Sequence, residues 1–364
     1  MLPLAFHHTI RLPTVLVRNP KIAARRQAVA LMGLLLTSLS SLAPALGAAR
    51  HAPRTSVRLA VSSRPGNIVY LQLDLAKALH YFEDEDLDVQ FKFYEGGPNT
   101  AKALEEGQVE FSGNSIDHAV YTRNAPRPLK MVAAFTDLPA VTLTVRRSLR
   151  AQIRSVKDLR GRRIGIAALN SGTHVILASI FKSAGVPLNA VSIIPVGHTD
   201  QMIAAMKRGE IDAAVSTDPA ALRLLVGGDA SLLLDLVTYD ETQRIFTGSY
   251  AFTGLMTRSD VIAQRPDVVQ RMVNAVIRTN QFIATHSAAD IADALPMSAK
   301  HDRYIFVKSI EHTRPSFSPD GIVTAEGVAN NIKSQRALGL IASDQTLNPA
   351  DFFDMRFAMH TNHR

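Results

Sequence analysis

Residues 103–112 read Ala-Leu-Glu-Glu-Gly-Gln-Val-Glu-Phe-Ser, and residues 205–216 repeat the pattern as Ala-Met-Lys-Arg-Gly-Glu-Ile-Asp-Ala-Ala-Val-Ser. In each stretch a helical segment ends at a glycine, Gly107 or Gly209, which can adopt the left-handed conformation that closes a helix. A short strand follows, with an acidic residue near its start and a serine at its end. The repeat predicts two halves of similar build, although helix–glycine–strand connections are also common in α/β proteins generally.

Around these stretches, short β-like segments alternate with helical ones. The helical segments have apolar residues four positions apart, as at Leu71, Leu75 and Leu79. Such alternation predicts an α/β fold with helices on the faces of a sheet. The predicted strands are Val57–Val61, Leu87–Tyr94, Val109–Ser112, Lys130–Phe135, Val141–Val145, Arg163–Ala167, Val191–Val196 and Ile211–Val215.

The last third of the chain predicts how the two halves connect. Phe252–Thr257 is β-like, Pro266 begins a long amphipathic helix, and Pro319–Leu340 has helical spacing. If a helical tail packs back on the first half, the chain crosses twice, at Thr142–Arg147 and at Tyr250–Met256, which makes a two-strand hinge. The predicted segments are a signal peptide at 1–47, lobe 1 at 57–143 plus 255–364, and lobe 2 at 144–254.

The N-terminus has the features of a secretory signal peptide. Paired arginines at Arg25 and Arg26 precede an apolar run over Ala28–Leu36, which is too short to span a bilayer comfortably. Small residues at 40–49 offer cleavage sites. We therefore expect the mature protein in the periplasm.

Charge and composition exclude several classes of protein. The net charge is +8, but five of the 40 basic residues and none of the 32 acidic ones fall in residues 1–47, so the remainder carries +3. Such a mildly basic surface does not predict nucleic-acid binding. The absence of cysteine excludes disulfides, thiolate metal sites, a cysteine nucleophile and a lipid-modified N-terminal cysteine.

The loops that follow the predicted strands form the candidate binding site. In open α/β sheets, ligands bind at the carboxyl ends of strands, where loops lead into helix N-termini. Five such loops are rich in Gly, Ser, Thr, Asn and Pro, and can present backbone N–H groups and hydroxyls to a carboxylate, sulfonate, nitrate or phosphate group. The same residues are also ordinary caps and turn formers. The loops are 62–67, 95–100, 112–115, 168–173 and 216–219.

Asp218 is the unusual member of these loops, because a carboxylate in an anion pocket weakens binding unless it pairs with a cation. It either accepts from an ammonium or ring N–H of the ligand or caps the helix that starts at Pro219.

Several stretches of the sequence resemble a known family. They resemble the nitrate/sulfonate/taurine-type periplasmic binding proteins of ABC importers and their relatives that bind thiamine-pyrimidine precursors. The resemblance runs from about Val57 to about Ile283. The stretches are Gly96-Gly-Pro-Asn-Thr-Ala-Lys-Ala-Leu-Glu-Glu-Gly-Gln-Val-Glu-Phe111, Val156-Lys-Asp-Leu-Arg-Gly-Arg-Arg-Ile-Gly-Ile166, Ser171-Gly-Thr173, Gly209-Glu-Ile-Asp-Ala213 and Thr217-Asp-Pro219.

The resemblance implies the type II binding-protein fold, in which two hinged α/β lobes close over a ligand. It also implies ligand contacts from the loops described above, carried over position by position. These residues are Asn67, Gly97, Asn99, Asn114, Ser115, Ser171, Gly172, Thr173 and Asp218.

The expected function is that of a periplasmic solute-binding protein with no catalytic activity. It would deliver a sulfonate, taurine or nitrate-like solute, as a monomer without cofactor or metal, to an ABC permease and its ATPase. A ligand-sensing receptor module and a binder of pyrimidine or thiamine precursors remain alternatives. No Gly-x-Ser-x-Gly, Walker or His-Glu-x-x-His motif occurs in the sequence. His118, His174 and His198 fall near the predicted cleft, but their separations match no metal template.

Overall fold

The computed structural model describes residues 53–300 and 302–362; the predicted signal peptide lies outside them. Apolar and β-branched runs form the strands, and segments with apolar residues at helical spacing form the helices. The strands are β1 Thr55–Val61, β2 Leu87–Phe93, β3 Phe111–Ser115, β4 Leu129–Ala134, β5 Thr142–Arg146, β6 Arg163–Ile166, β7 Ser192–Pro195, β8 Ala213–Ser216, β9 Ala230–Asp235 and β10 Thr253–Arg258. The helices are α1 Leu71–Ala78, α2 Tyr81–Asp84, α3 Gly97–Glu105, α4 Asp117–Tyr121, α5 Gly172–Ser183, α6 Thr199–Lys207, α7 Ala220–Val226, α8 Tyr239–Phe246, α9 Ser259–Gln264, α10 Pro266–Thr285, α11 Ala288–Asp293, α12 Met297–Lys300, α13 Arg303–Thr313, α14 Ala325–Leu338 and α15 Arg356–Asn362. Short 3-10 helices occupy Ile68–Tyr70, Arg147–Leu149, Val156–Leu159, Leu188–Ala190, Arg314–Ser316 and Pro349–Phe352.

Two five-stranded sheets organise these elements and confirm the predicted α/β class. The first sheet has the order β2-β1-β3-β10-β4, and the second has the order β7-β6-β8-β5-β9. In the first sheet, β1 runs parallel to β2 and β3, while β10 runs antiparallel to β3 and β4. In the second, β6 runs parallel to β7 and β8, while β5 runs antiparallel to β8 and β9. We call the first sheet with its helices lobe 1 and the second sheet with its helices lobe 2.

The repeated sequence pattern is the same structural unit in each lobe. Helix α3 ends before Gly107, at φ 78°, and leads into β3; α6 ends before Gly209, at φ 68°, and leads into β8. Both strands are buried along their whole length and lie third in their sheets. The acidic residues before them are structural: Glu110 accepts a hydrogen bond from the Arg58 amide at 2.8 Å, and Asp212 accepts one from the Arg163 amide at 3.0 Å.

All eight predicted strands overlap β1 to β8, and the β-like segment at Phe252–Thr257 overlaps β10. Strand β9 was not predicted, because its three consecutive leucines lack the alternation of a half-buried strand. Helices α11 to α13 were not predicted either, and the helix predicted to start at Pro319 begins later, at α14. There, Thr324 takes the cap position and its side chain accepts from the Gly327 amide at 3.0 Å.

The chain passes between the sheets at residues 135–141 and again at 236–252. The predicted crossing at Thr142–Arg147 includes β5, and the one at Tyr250–Met256 overlaps the start of β10, and both strands are already paired in their sheets. Likewise, the predicted lobe limits at 143/144 and 254/255 fall inside β5 and β10. We propose the two connecting segments as the boundary between the lobes.

The C-terminal helices pack back on the sheets. Helix α10 packs on α1, α2 and β4 of lobe 1, whereas α14 contacts both α4 of lobe 1 and α5 of lobe 2. At that contact, the hydroxyl of Ser179 donates to the hydroxyl of Ser334 at 2.7 Å. The C-terminal helix α14 therefore contacts both lobes. Over residues 53–300 and 302–362, no helix has the length and apolar character needed to cross a membrane.

Candidate binding cavity

A cavity lies where the carboxyl ends of parallel strands from both lobes meet. It is small, with a volume of about 40 Å³. A wider groove of about 350 Å³ adjoins it at His198 and Thr199 and is lined further out by Arg64, Phe93 and Tyr94. The inner cavity is lined by Ser62, Asn67, Val69, Tyr70, Gly97, Asn114, Ser115 and His118 of lobe 1, by Ala167, Ser171, Gly172, Thr173, Gly197, His198, Thr199, Met202, Val215, Ser216, Thr217 and Ala220 of lobe 2, and by Phe252 of the second connecting segment.

In lobe 1, the polar side chains that line the cavity are bonded to one another. The amide of Asn114 donates to the Gly97 carbonyl at 3.0 Å, and its oxygen accepts from the Ser115 amide at 2.8 Å. The Ser115 hydroxyl donates to the carboxylate of Asp117. This part of the cavity is thus held in place before any ligand arrives.

In lobe 2, helix N-termini open onto the cavity. Helix α5 starts at Gly172, and the preceding Ser171 does not cap it, because its hydroxyl donates to the Ala168 carbonyl at 2.7 Å. Within the described chain, the backbone N–H groups of Gly172 and Thr173 have no acceptor. They therefore remain available to a guest at the positive end of the helix.

Two more helices begin at the cavity in the same way. Helix α3 of lobe 1 follows Gly96, and α6 of lobe 2 follows His198, and neither preceding residue makes a side-chain cap. Three helices of nine to twelve residues from both lobes thus direct uncapped N-termini at one space. Such N-termini bind anionic or hydrogen-bond-accepting groups.

Three side-chain atoms on the cavity wall are buried and have no hydrogen-bond partner among the described residues: His118 Nε2, His198 Nε2 and Ser216 Oγ. Burial lowers the pKa of His118 and of His198 below that of an exposed histidine, so both imidazoles are neutral at neutral pH. A neutral imidazole can donate or accept at Nε2. Since buried polar atoms are rarely left unpaired, these three are candidate ligand contacts.

The electrostatic surroundings of the cavity are unusual for an anion site. No lysine or arginine side chain of the described residues lines the inner cavity. Asp117 is buried behind its wall, with Oδ2 3.6 Å from His118 Nε2. Recognition of a negative group in this cavity therefore depends on backbone and side-chain dipoles.

The lobes meet directly at the cavity edge. The Thr217 hydroxyl donates to Asn67 Oδ1 at 3.1 Å, and the Ile68 amide donates to the Asp218 carbonyl at 3.1 Å. Gly172 also packs tightly against Phe252 and Ser115. A Cβ on it would lie 2.4 Å from the Phe252 ring and 3.0 Å from Ser115 Oγ. The structure thus shows a closed arrangement of the lobes.

Seven of the nine predicted site residues line the inner cavity, and two do not. Asn99 is exposed on α3, and its side-chain amide turns back to donate to the Glu95 carbonyl at 2.8 Å. The Asp218 carboxylate is already occupied by the Leu222 amide, at 3.0 Å, and by the ring of His312. The seven residues in the wall are Asn67, Gly97, Asn114, Ser115, Ser171, Gly172 and Thr173.

Several wall residues were missed as contacts, among them Tyr70, Ser216 and Phe252. Ser216 ends β8 and so had the strand-end signal, whereas Tyr70 and Phe252 look like ordinary core residues in sequence. Of the histidines near the predicted cleft, His118 and His198 line the cavity, but His174 does not: its Nδ1 accepts from the Asn170 amide at 3.0 Å. Across the described ranges, no three His, Cys, Asp or Glu side chains cluster as metal ligands.

A protein-family model described as NMT1/THI5 like matches residues 67–289, which is more than half of the chain. No curated protein matches the sequence. Among solved structures, a protein from Bordetella bronchiseptica RB50 is 26% identical, with a TM-score of 0.78 over 85% of this chain and 98% of that one.

Two further solved structures share the fold at lower identity. The alkanesulfonate-binding protein SsuA from Xanthomonas axonopodis pv. citri, bound to MOPS, is 17% identical with a TM-score of 0.66, over 84% of this chain and 99% of that one. The periplasmic nitrate-binding protein NrtA from Synechocystis PCC 6803 is 12% identical with a TM-score of 0.67, over 85% and 89%. The two-lobed fold of periplasmic binding proteins is therefore that of this chain.

Proposed function

The chain belongs to the NMT1/THI5-like family, and from that premise we propose that it is the periplasmic solute-binding component of an ABC importer for a compact anionic or zwitterionic solute. The observation that carries the proposal is the pair of free N–H groups at Gly172 and Thr173, which open onto the cavity between the two lobes. A sulfonate, carboxylate or nitrate oxygen is the acceptor that suits such a helix N-terminus.

The size of the cavity limits the part of the solute that enters it. A volume of about 40 Å³ admits a head group of a few heavy atoms. The adjoining groove beside Phe93 and Tyr94 gives room for a longer remainder of the molecule. The solute is therefore a small molecule whose polar head is buried between the lobes.

The charges around the cavity favour a zwitterion over a simple anion. The carboxylate of Asp117 lies behind His118, and in the described residues no cationic side chain lines the cavity to offset it. A zwitterionic solute can direct its ammonium or N–H group at His118 and its anionic group at the N-terminus of α5, so that both charges are stabilised. Taurine has this pattern of charges, and the alkanesulfonate- and nitrate-binding proteins of the same fold support an oxyanion head.

Isothermal titration calorimetry on the mature protein tests the proposal, and it suits a chain without tryptophan. Taurine, ethanesulfonate, nitrate, an aminopyrimidine and, as a control, chloride are titrated at constant ionic strength. We expect 1:1 heats with taurine and ethanesulfonate, and a rise in the thermal midpoint that grows with ligand concentration. Binding of the aminopyrimidine alone would replace the proposed solute, and no heat with any compound would overturn the binding function.

Delivery to an importer requires a measurement in cells. Loss of the protein in its host should abolish uptake of the compound that binds best in calorimetry, while uptake of an unrelated solute continues. If uptake is unchanged, the protein binds the solute but is not needed for its transport, and the proposed role in an importer is wrong.

A further inference from the structure

Outside the cavity, His312 on α13 makes two short contacts with carboxylates. Its Nδ1 lies 2.7 Å from Asp218 Oδ2, and its Nε2 lies 2.8 Å from Asp235 Oδ2. The side chain of Asp218 is 1% exposed, and the Thr313 hydroxyl donates to the same Oδ2 at 3.2 Å. Both ring nitrogens are therefore donors, which requires an imidazolium.

The two sides of this contact belong to different lobes. Helix α13 packs mainly on α11, which packs on α10 of lobe 1, and it also contacts the 3-10 helix Ile68–Tyr70 of lobe 1 and α7 of lobe 2. Asp218 follows β8, and Asp235 is the last residue of β9, so both carboxylates belong to lobe 2. Asp235 also directly precedes the connecting segment 236–252, which places the contact beside the hinge.

The contact is coupled to the cavity through the loop that carries Asp218. The carbonyl of Asp218 accepts from the Ile68 amide of lobe 1 at 3.1 Å. The neighbouring Thr217 lines the cavity and bonds Asn67 across the lobes. A group that holds the Asp218 side chain thus also holds the loop that closes against lobe 1.

We propose that His312 is a positioning residue which, as an imidazolium shared between Asp218 and Asp235, clamps the two lobes in the closed arrangement and raises solute affinity without touching the solute. The affinity part of the proposal rests on the proposed binding function. Because hydrogen bonds weaken steeply beyond about 3.5 Å, a small opening at the hinge is enough to break both contacts.

The charge of the clamp sets its pH range. The two carboxylates raise the pKa of His312 from 6.5 to about 10 in the closed form, against a smaller opposing effect of burial. When the lobes open and the contacts are lost, the pKa returns towards 6.5. The clamp is therefore fully effective below about pH 6.5 and is lost as the pH rises towards 10.

The other charged groups near α13 are already engaged. Arg223 of α7 pairs with Asp200, Asp293 of α11 pairs with Arg303, and Arg314 donates to the carbonyls of Ile283 and His286. Among residues with described side chains, the ionisable groups of α13 and of the elements packed on it are Tyr70, Asp218, Arg223, Asp235, Asp290, Asp293, Arg303, Tyr304, Lys308, Glu311 and Arg314.

The first test uses the mature protein without ligand. Histidine side-chain NMR follows the His312 ring, assigned by its loss in His312→Gln, from pH 6 to pH 10. We expect it to stay protonated at pH 8 in the wild type and to titrate at lower pH in Asp235→Asn, which leaves Asp218 in place. Small-angle X-ray scattering should show a larger radius of gyration for His312→Gln than for the wild type.

The second test measures affinity for taurine and ethanesulfonate by calorimetry. We expect His312→Gln to weaken binding about tenfold and Asp235→Asn to weaken it less, with little further loss when Asp235→Asn is added to His312→Gln. In the wild type, affinity should fall as the pH rises from 7 to 10, by at most tenfold per pH unit for one proton, and in His312→Gln it should not. His360→Gln, a change at an exposed histidine of α15, is the matched control and should match the wild type.

The two tests fail in different ways. If neither compound binds the wild type, the proposed solute is wrong, and the ligand-free measurements still decide on the clamp. A His312 ring that titrates near 6.5, or a His312→Gln variant with unchanged radius of gyration, overturns it. Unchanged affinity for a compound that binds the wild type also overturns it.

Discussion

The two lobes contribute to the cavity in different ways. In lobe 1, Asn114 and Ser115 are bonded to each other, to Gly97 and to Asp117, so their polar atoms are largely satisfied within the lobe. In lobe 2, the first amides of α5 are free, because Ser171 bonds backwards to its own loop. Lobe 1 thus contributes a largely preformed wall together with the uncapped N-terminus of α3, and lobe 2 contributes two uncapped helix N-termini, those of α5 and α6.

The difference shows where binding energy can come from. A group already paired in the closed protein gains little from a ligand, whereas a free donor exchanges water for a ligand oxygen in a low-dielectric site. Among the side chains of lobe 1 that line the cavity, His118 is the exception, since its Nε2 is unpaired. Substitutions that remove free groups or keep the lobes apart should therefore weaken binding most.

The largest effect is expected from Gly172→Ala. The added Cβ would lie 2.4 Å from the Phe252 ring and 3.0 Å from Ser115 Oγ, on the surface where lobe 2 closes against lobe 1. Overpacking of this kind costs about 2 kcal/mol, which corresponds to about thirtyfold in the dissociation constant measured by calorimetry with taurine.

A second substitution serves as the control for that experiment. Phe252→Leu in the Gly172→Ala background removes the ring that the new methyl group meets, so part of the affinity should return. If Gly172→Ala alone binds taurine as tightly as the wild type, lobe 2 does not close against lobe 1 at Gly172 in solution.

A smaller effect is expected from His118→Gln, which tests the exception on lobe 1. A neutral Nε2 that meets the solute contributes about 1 kcal/mol. The affinity of His118→Gln for taurine should therefore be about fivefold lower than that of the wild type, a smaller loss than in Gly172→Ala. Gln replaces the rigid ring with a flexible side chain, and the rotamer freedom that it must lose offsets the hydrogen bond that its amide could make.

His174→Asn is the matched control for this substitution. His174 is also buried, but its Nδ1 bonds the Asn170 amide and it lies outside the cavity wall. An equal loss of affinity in both variants would assign the effect of His118→Gln to general loosening of the fold.

Local pattern was enough to predict the features that repeat along the chain. Strand–helix alternation predicted β1 to β8, and the repeated helix–glycine–strand pattern predicted two halves of similar build, in which β3 and β8 occupy the same third position of their sheets. The cavity residues at strand ends, such as Asn114 and Ser171, follow from the same rule, because parallel strands deliver their next loops to one edge.

Contacts between distant segments were not predictable in this way. His312 meets Asp235 across 77 residues and Asp218 across 94, and nothing in its local sequence marks either partner. For Asp218, the sequence left capping and ligand binding open. The structure shows that the Asp218 carboxylate accepts from the Leu222 amide near the start of α7 and also meets His312, on a helix that was not predicted.

The smallest effect is expected from Asn99→Ala. Asn99 was predicted as a ligand contact from the resemblance, but its side chain is exposed, points away from the inner cavity and donates to the Glu95 carbonyl in its own turn at 2.8 Å. Exposed hydrogen bonds of this kind contribute little, so the dissociation constant for taurine should change less than about twofold. A loss as large as that of His118→Gln would mean that α3 turns when a solute binds, and that lobe 1 adds the Asn99 side chain to the contacts made by its preformed wall.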